Sequence, residues 1–268
     1  MLKLDELHLY DIYTPIVKNF DKKYPYEEAK ETVLKALSIL GEDYISTLAK
    51  GLENNWVDVY PSLSKRTGGY SGGSYDTAPY ILLNYQEKYD DMSTLSHEAG
   101  HSMHSYYTRK NNPYQYGDYS IFVAEVASTT NEILLAKYLL KTSNNKEEKL
   151  FILDKLMNLF KGTIYRQTML AEFEQAIYQD AENDIPLTAD YLSEKYYELN
   201  KKYFGSDVTI DEEIQYEWAK IPHFYYNFYV YQYATGLSAA CHIANDILSG
   251  KENAVENYKS FLKCGSKK

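Results

Sequence analysis

The segment Leu95-Ser-His97-Glu98-Ala99-Gly100-His101-Ser-Met-His104 concentrates side chains that can do chemistry. His97 and His101 are four residues apart, so on a helix they share one face, a single turn from each other. Two imidazoles so placed can both direct a ring nitrogen at one zinc ion. Glu98, beside the first histidine, is placed to take a proton from an attacking water and return it to a leaving amine. The chain holds six histidines, and a chance His-Glu-x-x-His is then expected in about one such chain in a hundred. The plain alternative is a solvated helix face that carries two histidines.

A catalytic zinc site needs a third protein ligand and an open position. The candidate is Glu125, in Phe122-Val-Ala-Glu125-Val-Ala-Ser-Thr-Thr-Asn-Glu132. Its neighbours are apolar, and a carboxylate in such company is costly unless it is paired or bound to metal. Glu132, seven residues later, lies on the same helix face and is placed to accept a hydrogen bond from a ligand histidine, or else to be a solvated end of that face. His104 follows His101 by almost one turn. It is open to three roles: behind the ligands, against substrate, or in packing alone.

The elements that must position these residues are mostly helical. Pro25 suits a helix start, Val33, Leu34, Leu37 and Leu40 recur at helical spacing, and Gly41 fits a stop. A second helix is expected from Asp43 to about Lys50. Trp56–Tyr60 alternates as a short strand, and Tyr80–Tyr85 reads as another, at an edge that would tolerate Pro79. Gly68, Gly69, Gly72 and Gly73 mark a flexible loop between them. That loop lacks the Gly-Lys-Ser/Thr ending of a phosphate cradle. Helices are expected near 91–108, 118–141, 146–182, 188–204, 224–249 and 252–263. The fold class is mainly α with a small β-sheet, as a single domain over 1–268.

Composition bounds the rest. The chain has 268 residues, is 44% hydrophobic and carries a net charge of −10. That is apolar material enough for a core, and an acidic balance that argues against nucleic acid as a partner. The two cysteines cannot make a disulfide framework, which points to a reducing, cytoplasmic setting. No secretory signal is visible, and no uncharged apolar run reaches the roughly 18 residues of a membrane span. Tyrosine is the outlier, with 30 copies. Their rings bury while their hydroxyls seek partners, which favours a polar-lined groove.

These motifs resemble the thimet oligopeptidase family of zinc peptidases, and within it the oligoendopeptidase F branch. His97-Glu-Ala-Gly-His101-Ser-Met-His104 looks like that family's His-Glu-x-Gly-His-x-x-His. Further stretches carry the likeness: Gly72–Asn84, Tyr116–Glu132 and Pro222–Gly236. The resemblance implies a helical, zincin-like metallopeptidase catalytic domain. It implies one zinc per chain on His97, His101 and Glu125, with Glu98 as general base. Zinc is expected over manganese or cobalt from the ligand types and the family. Substrates would be short oligopeptides cut at internal bonds. The strand near Tyr80–Leu83 would pair with an extended peptide, and Gly68–Gly73 would be a mobile loop over a cleft or a plain surface connection.

The segment after Pro222 places Tyr226, Tyr229 and Tyr233 on one helix face, with His223 just before them. Alone this reads as an aromatic packing stripe. By the resemblance, His223, Tyr226 and Tyr233 donate hydrogen bonds to the tetrahedral oxyanion, with Tyr229 and Tyr231 as alternatives. The zinc motif lies past the midpoint of full-length relatives. The chain is therefore expected to be their C-terminal catalytic portion, without the N-terminal helical lobe and the extreme C-terminus. The alternative function is a non-catalytic, zinc-containing peptide-binding fragment. Cleavage preference and oligomeric state are not legible.

Overall fold

The computed structural model describes residues 4–17 and 20–266. The chain divides into two compact units. One comprises Phe20–Ile152 and Gly236–Lys268, the other Met1–Asn19 and Leu153–Thr235. The fold is mainly helical with one three-stranded sheet.

The first of these units opens with α1 (Tyr26–Leu37), for which Pro25 is the N-cap. Ala29, Val33, Ala36 and Leu37 form its buried stripe. A short 3-10 turn, Ser38–Leu40, ends at Gly41, whose φ of +96° turns the chain into α2 (Glu42–Glu53). The sheet follows, with β1 (Val57–Asp58), β2 (Tyr70–Gly72) and β3 (Tyr80–Leu82) in the order β1-β3-β2. β1 is parallel and β2 antiparallel to β3, so that Val57 and Ser71 both face Ile81 across the ladder.

Two expectations are corrected here. The strand at 80–85 is central rather than at an edge. Pro79 precedes its first residue, so the missing N–H falls outside the ladder, and Ile81 is buried. The glycine stretch is not simply a loop, since half of it is β2. Gly69 lets this strand lie against the helix that follows the sheet, where a Cβ would come within 2.7 Å of Thr94 Cγ2.

That helix, α3 (Tyr89–Asn111), buries Met92, Leu95, Ala99, Met103 and Tyr107. α4 (Ile121–Thr142) is buried through most of its middle, where Ser128, Thr130 and Asn131 are hydrogen-bonded. Asn131 donates to Ser96 O at 3.1 Å, and Tyr44 of α2 donates to Asn131 Oδ1 at 3.3 Å. Each fully buried leucine or methionine of this unit contributes about 1.5–3 kcal/mol.

α5 (Lys146–Phe160), a π-turn at Lys161–Tyr165 and α6 (Arg166–Glu182) run on without a break, as the expected helix over 146–182. α7 (Ala189–Phe204) is capped by Thr188, which accepts the Tyr191 N–H. Met169, Leu170, Phe173, Tyr196, Leu199, Ile221 and Val230 form the core of the second unit. α8 (Tyr231–Leu248) starts seven residues later than expected. Instead, 222–225 is a 3-10 turn and Phe228 has φ of +55°, a left-handed residue that interrupts any helix. α9 (Ala254–Leu262) belongs to the unit of α3, whose Thr108 hydroxyl donates to Leu262 O at 3.0 Å.

Candidate metal centre

The close approach of α3 and α4 is set by Gly100. A Cβ at this position would lie 2.6 Å from Ser128 Cα and 2.7 Å from Ala127 O. Both are backbone atoms, so only glycine lets the helices lie this near. The approach brings the His97–His101 face of α3 onto Glu125 of α4. His97 Nε2 is 3.4 Å and His101 Nε2 3.6 Å from the same Glu125 oxygen, Oε2. One ligand atom from each of the three lies within 4.8 Å of the others. Donors about 2 Å from a tetrahedral zinc lie about 3.3 Å apart, so the donor set fits that ion in type, number and spacing.

Neighbours hold the candidate ligands. His97 Nδ1 is 3.0 Å from Glu132 Oε2, and Ser93 donates to the other Glu132 oxygen at 3.2 Å. A ring nitrogen held this way leaves Nε2 to face Glu125. Ser128 donates to Glu125 Oε2 at 3.0 Å. The two imidazoles meet edge to face at 4.9 Å.

The metal-free electrostatics match a cation site. Burial works against charge on His97, but hydrogen bonds to Glu125 and Glu132 outweigh it and raise its pKa well above the imidazole value. Burial and the charge on His97 hold His101 down at about 4. Burial opposes ionisation of Glu125, yet His97 and His101 bring it down to about 2. Buried imidazoles facing a carboxylate held in its charged form make a place that a dication would take.

Glu98 is 5% exposed. Burial pushes its pKa up to about 7, while the charge on His97 and the nearby Ser71 backbone N–H of β2 act the other way. The sheet edge thus contributes a main-chain N–H to the surroundings of this carboxylate. Ser71 carries no mark in the sequence, because its contribution is a main-chain N–H. His104 turns out to be packed, its ring stacked on Tyr119 at 3.6 Å and 5°. Burial lowers its pKa to about 3.

His223, Tyr226 and Tyr233 belong to the other unit. There His223 stacks on Tyr229 with ring centroids 5.6 Å apart, and lies 6.5 Å from Tyr233. The Tyr233 hydroxyl donates to that of Tyr229 at 3.2 Å. Tyr226 is 66% exposed, with its ring 6.1 Å from Tyr229. The histidine is grouped with Tyr229 and Tyr233, then, by a turn and a helix start rather than by one helix face. The expected peptide pairing along the 80–83 strand is also corrected, since β3 is bonded on both sides and the unpaired edges belong to β1 and β2.

Known proteins point the same way. Oligopeptidase PepF of Bacillus subtilis is 56% identical over 266 residues, which cover 99% of this chain and 40% of that protein. The chromosomal oligoendopeptidase F of Lactococcus lactis subsp. cremoris is 49% identical over 267 residues, 99% of this chain and 44% of its own length. A Chlamydophila abortus chain solved by crystallography matches with a TM-score of 0.88 and 47% identity, over 98% of this chain and 44% of that one. The chain thus spans less than half the length of the curated relatives it matches. The profile of peptidase family M3 aligns with residues 1–268, and the chain belongs to that family.

Proposed function

We propose that this chain is the catalytic part of a zinc-dependent endopeptidase that cuts internal bonds of short oligopeptides. The observation that carries the reading is the convergence of His97, His101 and Glu125, with the buried Glu98 next to His97 in the chain. The printed names of the relatives, oligopeptidase and oligoendopeptidase, support the substrate class.

His97, His101 and Glu125 would hold the zinc, with Glu132 keeping the His97 ring in register. The ion, when bound, supplies a Lewis acid that polarises the scissile carbonyl and acidifies a water. Glu98 takes the proton of the attacking water and delivers it to the leaving amine. A carboxylate suits both transfers. His223 and one of the clustered tyrosines donate hydrogen bonds to the oxyanion. Tyr229 and Tyr233 are the geometric choices, because they share a hydroxyl contact and flank the histidine.

Glu98→Gln tests the mechanism. Turnover of an internally quenched peptide is expected to vanish while zinc content stays at the parental level. Cleavage that persists in Glu98→Gln contradicts it. The second reading is a non-catalytic, zinc-containing peptide-binding fragment. That reading predicts zinc and measurable peptide binding without cleavage.

A further inference from the structure

α6 carries a buried acid that the metal centre does not use. Glu174 is 1% exposed, and its Oε1 accepts the backbone N–H of Phe228 at 2.8 Å. Burial raises its pKa, with that N–H acting the other way. An acid is an expensive acceptor in a core unless its placement matters. Phe228 has φ of +55°, a region that a bulky residue occupies only where its surroundings hold it. The same face of α6 grips the neighbours. Tyr178 donates its hydroxyl to Asn227 Oδ1 at 2.8 Å, and its ring lies 4.9 Å from that of Phe228. Phe173 packs on Phe224 at 5.4 Å. The segment so gripped follows His223 and ends immediately before Tyr229.

We propose that Glu174 is a positioning residue: it holds Phe228 in its left-handed turn and thereby sets Tyr229 against His223 and Tyr233. The functional part of this rests on the reading above, in which His223 and a clustered tyrosine are the oxyanion donors. Without the acceptor, Phe228 relaxes to negative φ. The chain then approaches α8 along another path, and Tyr229 leaves the imidazole.

The test uses the zinc-loaded chain and three changes: Glu174→Leu, which keeps volume and loses the acceptor; Glu174→Gln, which keeps an acceptor; and Glu174→Leu combined with Phe228→Gly. Glycine adopts φ of +55° without support. The measurements are kcat and KM on a quenched peptide, and amide exchange over 226–230. Glu174→Leu is expected to lower kcat about 10- to 100-fold with KM within about twofold. Exchange at 226–230 rises about tenfold or more while α7 stays protected. Glu174→Gln restores most of both, and Phe228→Gly recovers part of kcat in the leucine background. The proposal is overturned if Glu174→Leu changes neither kcat nor exchange. It is equally overturned if α7 loses its protection as well and Phe228→Gly rescues nothing. His223→Ala and Tyr229→Phe run alongside. Should both keep parental kcat, the donor reading fails, and the exchange data alone judge the anchor. Should they lose kcat while Glu174→Leu does not, the positioning proposal alone fails.

Discussion

Glu132 is placed to act on the proposed metal site through another residue. Its carboxylate holds His97 Nδ1 at 3.0 Å and is itself held by Ser93. Such a partner fixes the imidazole's tautomer and ring orientation, and its loss typically weakens metal binding about 10- to 100-fold. Glu132→Ala is therefore expected to lower zinc affinity by that factor in a competition titration against a chelator, and an unchanged affinity contradicts the role. His97, His101 and Glu132 were legible because helical spacing alone puts functional atoms on one side. Glu125 was legible through its apolar flanks. Ser71 was not, since any residue but proline offers the same N–H. Nor was the choice of Tyr229 over Tyr226 as the partner of His223, which depends on one positive φ at a phenylalanine.

Among the elements, the pairing of α3 with α4 matters most to the site. It depends on the absence of a side chain at Gly100, where a Cβ would meet the backbone of Ala127 and Ser128. Gly100→Ala is expected to push the helices apart and cost about 2–3 kcal/mol, read from urea unfolding. The same displacement separates the α3 histidines from Glu125, so zinc affinity falls in parallel. A loss of stability below about 0.5 kcal/mol, typical of a surface change, contradicts this packing. Long periodic segments such as α3 and α4 were readable because burial imposes a repeating pattern. The short strands were not. The central place of β3 follows from pairing with segments about 10 and 24 residues upstream, and nothing local to Tyr80–Leu82 records it.

At the scale of the whole molecule, both compact units rely on carboxylates that must stay ionised. In one, Glu148 takes the Lys22 ammonium at 2.6 Å. Burial resists its ionisation, but Lys22 and Ser143 lower its pKa below the usual carboxylate value. In the other, Glu217 takes Arg166 at 2.9 Å and the Tyr196 hydroxyl at 2.7 Å, and its pKa is likewise lowered against burial. A depressed folded pKa means that the stability is present above the ordinary carboxylate pKa and is lost as pH falls through the folded value. Glu148→Gln is expected to cost about 1 kcal/mol at pH 7, discounted for the exposed lysine. The gap from the parent should narrow as pH falls from 7 to well below the ordinary carboxylate pKa. A gap of equal size at both ends of that range contradicts the assignment.

Among the described residues no helix is long and apolar enough to cross a membrane. The three proposed ligands and the proposed general base of this family M3 chain all fall in one compact unit. That makes the metal the place to test the account. The measurement is zinc content per purified chain, taken together with cleavage of a short internally quenched peptide with and without a chelator. The account predicts one zinc per chain, cleavage abolished by the chelator, and recovery when zinc is added back. A chain without stoichiometric zinc, or cleavage indifferent to the chelator, contradicts it.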